Sequence, residues 1–550
     1  MTNYEETYNK YKIDVPEYFN FTTDVVEKWA QDTKRVAAVI ADAKGEEFQQ
    51  VTFAQLSAMA NQFAQSLLRQ GFRKGDRVIV ILPRIHEWYV ALLAMFKVGI
   101  IPVPTTSQST SRDIHYRTNK AEAVGIITDV ENAPKIDEVA EQCPSLKFKF
   151  LVCDENNNLP EGKSESWISF HKSFACESTK FTSSEKTLSS DPMLIYFTSG
   201  TVSYPKMVLH AQEYAIAHEV TARFWHDLHP DDLHWTISDT GWAKAAWGCL
   251  FGQWIVGARI FLHNSPRFEP ETTLKLIERA GVTTFCAPPT VYRMFAQEDL
   301  SRYRFSTLRH CTSAGEPLNP EVIKIWKEAT SLTIYDGYGQ TETVNVIANY
   351  RCLPNKPGSM GKPAPGFTIA VVDAEGNELP PGMEGMVAIK VRPNRPAGLF
   401  SCYWKDELTT ESVFAGDWYL TGDKAKVDRD GYFWFIARSD DVIITSGYRI
   451  GPFEVESALL EHPAVLESAV VASPDSIRGE VVKAFIKLAY GYEPSAHLVN
   501  ELQQHVRKIT APYKYPRKIE FVAELPKTIS GKIRRSELKK KEWQNYSPHK

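Results

Sequence analysis

The run Tyr196-Phe-Thr-Ser-Gly-Thr-Val-Ser-Tyr-Pro-Lys206 gathers hydroxyls, a glycine and a lysine into one short loop at the end of an apolar stretch. That chemistry suits a polyphosphate. Gly200 lets backbone N–H groups turn toward an anion, Thr198, Ser199, Thr201 and Ser203 bring hydroxyl donors, and Lys206 brings a point charge. The spacing is not Gly-x-x-x-x-Gly-Lys-Ser/Thr, so the run is no ordinary P-loop, and taken alone it is also common loop composition. Three further segments carry groups of the same kind. Tyr338-Gly-Gln-Thr-Glu342 follows a strand-like Leu332-Thr-Ile-Tyr335, Tyr419-Leu-Thr-Gly-Asp423 precedes a Gly-Tyr turn at Gly431, and Pro526-Lys-Thr-Ile-Ser-Gly-Lys532 sets a lysine on a loop before a basic helix.

Elements of two textures must hold these segments. From Arg77 onward the pattern predicts strand 78–82, helix 87–97 and strand 100–103, then strands at 123–128, 148–153, 259–263 and 283–287, with a helix at 272–280 between two of them. Such alternation reads as parallel βαβ units in layered α/β cores. After Phe367 the segments 367–373, 386–391 and 432–437 are β-rich and separated by Pro/Gly turns. From Ile443 an α+β pattern follows: helices 452–461 and 495–508, strands 466–472, 482–488 and 518–522, and a last basic helix. The expected fold class is therefore α/β. A large N-terminal domain, 1–437, combines two layered α/β subdomains with a small β subdomain, 438–441 link it onward, and 442–550 form a small α+β domain.

Composition narrows the classes. At 550 residues with 43% hydrophobic content the chain exceeds a single core. A net charge of -4 disfavours nucleic-acid binding through bulk charge. The longest apolar stretch, Trp88 to Pro104, is interrupted by Lys97, Gly99 and Pro102, so it reads as a buried helix and strand and no membrane span is expected. The polar start Met1-Thr-Asn-Tyr-Glu-Glu has no signal-peptide pattern. Eight cysteines without a Cys-x-x-Cys pair disfavour a cysteine zinc site or a disulfide framework and fit a reducing cytoplasm.

The four segments, in this order, resemble the adenylate-forming superfamily of acyl-CoA synthetases, non-ribosomal adenylation domains and luciferases. Within it, Trp235-Thr-Ile-Ser-Asp-Thr-Gly-Trp242, Ser446-Gly-Tyr-Arg-Ile-Gly-Pro452 and Ala511-Pro-Tyr-Lys-Tyr-Pro-Arg-Lys518 resemble medium-chain acyl-CoA synthetases. The resemblance implies a ligase that joins a short- to medium-chain, straight or branched carboxylic acid to CoA through an acyl-adenylate, with ATP and CoA as co-substrates and Mg²⁺ as cofactor. It implies that Thr198, Ser199, Gly200, Thr201 and Lys206 hold the β/γ-phosphates and that Thr341 and Glu342 bring the metal. Gly315, Glu316, Pro317, Asp336, Gly337, Tyr338, Gly339 and Gln340 would enclose the adenine side, with Tyr338 stacking, while Asp423 takes both ribose hydroxyls and Arg438 adds a nucleotide contact.

By the same resemblance Lys532 is the catalytic lysine, alongside Thr198 and Glu342, and Asp440 is the hinge about which a mobile C-terminal domain turns. Gln108, Ser446, Gly447, Tyr448, Arg449, Arg478, Arg507, Tyr515 and Arg517 stand where that branch contacts CoA. Acetyl-CoA synthetases carry an indole where this chain has Gly339, so room is expected beyond acetate, with Trp242, Trp247 and Phe251 lining and limiting it. One departure stands out: Val202-Ser203 replaces the hydroxyl and glycine of the family's phosphate loop, which predicts weaker β/γ-phosphate contact. The sequence leaves open a CoA-independent adenylating enzyme, a luciferase-like oxygenase and a non-catalytic acyl-nucleotide sensor, and it leaves open whether the chain forms a homo-oligomer.

Overall fold

Two parallel sheets form the scaffold of the computed structural model, which describes residues 1–153, 158–163, 166–183, 186–198, 205–265, 267–438, 441–445, 448–475, 478–510, 512–528 and 532–544. The first has the order Ile101–Pro104, Arg77–Ile81, Gly125–Asp129, Phe148–Val152, Ile168–Ser169, parallel throughout. Residues 78–81 are buried without alternation, as strands covered on both faces must be. The helix His86–Lys97 buries nearly every residue, Trp88 and Met95 included, so the apolar run is a core helix as expected.

The second sheet has nine strands, in the order Lys362–Pro363, Ile347–Ala348, Ile334–Tyr338, His310–Ala314, Thr284–Ala287, Leu233–Thr236, Arg259–His263, Val36–Ala41, Phe48–Thr52. The six central strands, from Ile334–Tyr338 to Val36–Ala41, run parallel. From Leu233–Thr236 the chain first builds outward to Arg259–His263 and then returns to add Thr284–Ala287 on the other side. That reversal makes a switch point, and open α/β sheets bind ligands at the carboxyl ends of strands beside one. The segments carrying Trp242, Gly315 and Gly339 leave the sheet at those ends. The hairpin of Val36–Ala41 with Phe48–Thr52, which completes the sheet's far edge, carries no signal that the sequence reading used.

A three-stranded antiparallel sheet, Cys402–Tyr403, Met207–Ala211, Pro192–Phe197, was also not anticipated. It makes Phe197 and Met207 partners, so Thr198 and Lys206 stand at the two ends of a hairpin loop, and it sets Tyr403 opposite Val208. The β-rich region forms the order Ile369–Val372, Glu384–Lys390, Trp418–Val427, Phe414–Ala415, with Phe433–Arg438 also paired to Trp418–Val427. Here Asp423 lies inside a strand, directly across from Arg438, and not in a turn. The last sheet joins Tyr448–Ile450, Ile443–Thr445, Gly479–Leu488 and Val465–Asp475, with Lys518–Phe521 parallel to Gly479–Leu488. Its helix Pro452–Leu460 packs on the strand Phe433–Arg438, with the Phe435 and Phe453 rings 6.3 Å apart.

Candidate active site

Asp423 is the point on which three segments converge. Its Oδ2 accepts from the Tyr338 hydroxyl at 2.6 Å and from Gln340 Nε2 at 2.6 Å, while Arg438 stands 3.6 Å from Oδ1. Gln340 is itself fixed, donating to the Thr421 carbonyl and accepting from the Tyr419 hydroxyl at 3.0 Å. Burial raises the Asp423 pKa, and the Arg438 charge and these two hydrogen bonds pull it back down. A carboxylate held this way is a directed acceptor. Asp336 is buried lower in the crevice, and burial pushes its pKa well up against the backbone N–H groups of Gly337 and Leu318. Beside it Gly315 has φ of 106° and open space where a Cβ would point.

The hairpin loop is closed by its own ends: Thr198 N–H donates to the Lys206 carbonyl at 2.9 Å, and Lys206 N–H donates to Thr198 Oγ1 at 3.0 Å. Ser199, Gly200, Thr201 and the Val202-Ser203 departure lie outside the described residues. The Lys206 ammonium sits 4.7 Å above the Tyr403 ring, whose hydroxyl donates to Glu342 Oε1 at 2.8 Å. Burial raises the Glu342 pKa, with the Tyr403 hydrogen bond and the Lys206 charge working the other way. His210 Nε2 holds the Thr341 carbonyl at 2.8 Å. Burial keeps this imidazole neutral, with a pKa near 3, so it acts as a donor there.

Lys532 faces the same crevice. It retains solvent-exposed area, yet crowding by the cleft lowers its pKa; Glu316 is the strongest charge acting the other way, followed by Asp423 and Glu342, whereas Arg438 lowers it further. The lysine therefore shares one electrostatic environment with the carboxylates of three distant segments. Its backbone is tied back by the pair Thr528 N–H to Lys532 O at 2.7 Å and Lys532 N–H to Thr528 Oγ1 at 3.0 Å. Glu316 is also paired with Arg293 at 3.5 Å, and Pro317 is partly buried beside it.

On the acyl side the structure departs from expectation. A Cβ on Gly339 would lie 2.3 Å from the Val344 carbonyl oxygen and 2.4 Å from Trp247 Cη2. The room expected beside Gly339 is thus filled by an indole brought in from the helix Lys244–Gly248. Trp242, in the same segment, has a buried Nε1 without a hydrogen-bond partner among the described residues. Phe251 packs deeper, against His218 and Tyr214.

The candidate CoA residues do not form one cluster in the described contacts. Arg507 and Arg517 sandwich the Tyr515 ring at 3.7 and 4.9 Å, and Arg517 also donates to the Tyr515 hydroxyl at 2.7 Å. Arg478 is exposed at the start of strand Gly479–Leu488. Gln108 is exposed on the wall of a cavity of about 170 Å³ shared with Arg84, His263 and Arg267. Ser446, Gly447 and Asp440 lie outside the described residues, as do the side chains of Tyr448 and Arg449.

Sequence reasoning missed four groups. Tyr403 carries no motif and reaches Glu342 only through the unforeseen three-stranded sheet. Tyr419 stood inside a recognised segment but was given no task. Arg293 had no signal at all. Lys244 lies in the Trp242 to Trp247 segment; burial lowers its pKa, and it donates to the Ala314 carbonyl at 2.9 Å. A lysine inside an otherwise apolar helix was the available sign.

Comparison with known proteins places the chain in a family. A model of AMP-binding enzymes matches residues 26–404, and a model of the AMP-binding enzyme C-terminal domain matches 454–532. The chain is 48% identical to the mitochondrial acyl-coenzyme A synthetase ACSM3 of Homo sapiens, over 99% of this chain and 93% of that protein. It is 47% identical to human mitochondrial ACSM4, over 98% and 93%. Among solved structures it resembles the anthranilate CoA ligase AuaEII in complex with anthranoyl-AMP, with a TM-score of 0.87, 31% identity and coverage of 97% and 99%. It also resembles an acyl-CoA synthetase of Brucella canis, with a TM-score of 0.76, 34% identity and coverage of 99% of both chains.

Proposed function

The chain belongs to the family of AMP-binding enzymes and is an AMP-forming acyl-CoA synthetase, and from that premise we propose how its own residues divide the work. A carboxylate is a poor electrophile, so it must first displace pyrophosphate from ATP; the acyl-adenylate formed is then attacked by the CoA thiol and AMP leaves. The first step asks mainly for positioning and charge stabilisation around the α-phosphate. Asp423, oriented by Tyr338 and Gln340, accepts the ribose hydroxyls, with Arg438 beside it. Tyr338 also stacks on adenine, between Gly315-Glu-Pro317 and Asp336-Gly337.

Thr198 to Lys206 cradles the outer phosphates, and Lys532 bridges the acid's carboxylate and the α-phosphate. The geometry that supports this reading is the convergence of Tyr338, Gln340 and Arg438 on Asp423, with Glu342 held by Tyr403 beside Lys206. Thr341 and Glu342 offer an all-oxygen donor set that fits a hard cation such as Mg²⁺, which would supply charge neutralisation on the phosphates. The acid is short- to medium-chain, straight or branched, and meets Trp247 and Trp242.

For the second step, residues 438–441 act as a hinge with Asp440 as pivot, dividing a domain of 1–437 from one of 442–550. Rotation there would bring the Arg507–Tyr515–Arg517 trio, Arg478 and the 446–449 segment to the phosphates of CoA, with Gln108 contributing from the large domain. Among the described residues no helix is long and apolar enough to cross a membrane. The eight cysteines are free, which fits a reducing compartment, and we assign the cytoplasm; since the named relatives are mitochondrial, fractionation of cells must find the chain outside mitochondria for that assignment to stand.

The functional test separates the half-reactions. Lys532→Ala should abolish acid-dependent pyrophosphate exchange while leaving CoA attack on a supplied acyl-adenylate largely intact. Equal loss of both steps would remove Lys532 from its proposed role.

A further inference from the structure

Far from the nucleotide crevice in sequence, two imidazoles and a carboxylate face one another with no task in the reaction. His86 opens the helix His86–Lys97 and Glu87 follows it, while His171 comes from the helix Phe170–Phe174. His86 Nδ1 stands 3.4 Å from Glu87 Oε2, and His171 Nε2 stands 3.3 Å from Glu87 Oε1. One ligand atom from each residue lies within 4.8 Å of the other two, and this is the single such group among the described residues. We propose that His86, Glu87 and His171 form a binding site for a divalent transition metal of the zinc class, distinct from the magnesium–nucleotide site.

The spacing suits coordination as well as ion pairing. Charge-assisted N–H···O contacts settle at about 2.7–2.9 Å, shorter than either distance here. Around zinc, with bonds of about 2.0–2.1 Å to imidazole and carboxylate, neighbouring ligands of a tetrahedron are separated by about 3.3–3.4 Å. The donor set points the same way, since two imidazoles and one carboxylate suit zinc and its neighbours and not magnesium. Two rings and one carboxylate leave a fourth position for water. The side chains are 28%, 12% and 23% exposed, which gives an ion and that water a path in.

The scaffold is rigid on both sides. Trp88 and Tyr89 anchor the start of one helix in the core, and Phe170 and Phe174 anchor the other against Phe63 at 4.6 and 5.6 Å. A bound ion would tie the two helices together and pin the turn that carries Arg84, whose guanidinium holds the Ser265 carbonyl at 3.0 Å.

Full-length protein stripped with a chelator is dialysed against Zn²⁺ in excess Mg²⁺, and separately titrated with Co²⁺. The wild type should retain a single equivalent of zinc more than a His86→Ala/His171→Ala double variant, and its melting temperature should rise on zinc addition only when both imidazoles are present. Co²⁺ should give the intense visible bands of a four-coordinate ion in the wild type and lose them in the variant. With Mg²⁺ supplied, zinc-free wild type and variant should make acyl-CoA at the same rate, which separates this site from the adenylation chemistry. Equal zinc retention by both proteins overturns the proposal. So does a wild-type Co²⁺ spectrum without four-coordinate bands, a result that does not depend on the variant folding.

Discussion

Trp247 carries the sharpest prediction because the structure transfers to it the role that Gly339 held in the sequence. The perturbation is Trp247→Ala, with Trp247→Phe as the conservative control. Substituting Gly339 instead would be uninformative, since even a Cβ there meets the Val344 carbonyl oxygen at 2.3 Å, so lost activity would follow from backbone strain whatever lies nearby. Removing the indole leaves a space that extra methylenes of the acid can enter, and each buried methylene contributes about 0.8 kcal/mol, a factor of about four in kcat/KM. An acid two methylenes longer than the best wild-type substrate should therefore gain about 15-fold relative to that substrate. Acetate and propionate should lose ground, because they cannot reach the walls left behind. The truncation also costs about 3–5 kcal/mol of stability, so melting temperatures must be recorded beside the kinetics. The assay is acid-dependent CoA consumption across acetate, butyrate, isobutyrate, 2-methylbutyrate, hexanoate and octanoate. A folded alanine variant with the parent's chain-length profile would show that Trp247 does not border the acyl pocket.

Asp423→Asn should weaken ATP binding by about 1.5–3 kcal/mol, the worth of a hydrogen bond to a charged acceptor, while Tyr338→Phe should cost less; calorimetric ATP affinity equal to wild type would take Asp423 out of the site. Tyr403→Phe keeps the ring under Lys206 but removes the donor that lowers the Glu342 pKa, so the acid limb of the kcat/KM profile should move to higher pH. An unmoved limb would mean that Glu342 does not govern it. Five almost fully buried histidines should make the fold acid-labile: burial lowers His210 and His234 to about 3, His310 to about 4, and His218 and His226 well below the ordinary value. Between those values and about 6.5 the unfolded chain binds more protons, so stability is full above that pH and falls as pH drops through the window, by up to about 1.4 kcal/mol per unit per histidine. The buried carboxylates, raised in the fold, act in the opposite sense, so the check is differential: His218→Leu should flatten the fall in stability between about pH 7 and about pH 5, and parallel curves would refute it.

What could be read from the sequence was local. The core strands and the helix at 87–97 showed themselves because burial on both faces writes continuous apolar runs, and the four chemical segments because phosphates need clustered donors. Tyr338, Gln340 and Asp423 were named separately, and the structure joins them within 2.6 Å. The pairings across long separations were not legible. Tyr403 meets Glu342 only because Cys402–Tyr403 pairs with Met207–Ala211, and a two-residue strand leaves no periodic signal. Gly339 looked like open space for a related reason: Trp247 could be named as lining that space, but only the fold shows its indole pressed against the glycine from 92 residues away. The segment around Asp423 showed its chemistry but not its conformation, and only pairing with Arg438 shows a strand continuing through it.

The charges of the crevice share one cause. Burial raises the pKa values of Asp423, Glu342 and Asp336 and lowers those of Lys532 and Lys244, so each group is pushed toward its neutral form. A cleft in that condition is poorly solvated and gains when complementary charge enters. The lysines gain from phosphate oxygens and from the acid's carboxylate, and Glu342 gains from a cation. Asp423 and Asp336 gain from donors on the nucleoside. Binding should therefore move the pKa of Lys532 up and that of Glu342 down together, because each answers to a different part of the same ligand. That coupling gives the lysine a reason to sit on the segment we propose to hinge: away from the crevice, water would solvate its charge, and closing over bound nucleotide would exchange that water for phosphate without leaving the ammonium buried alone.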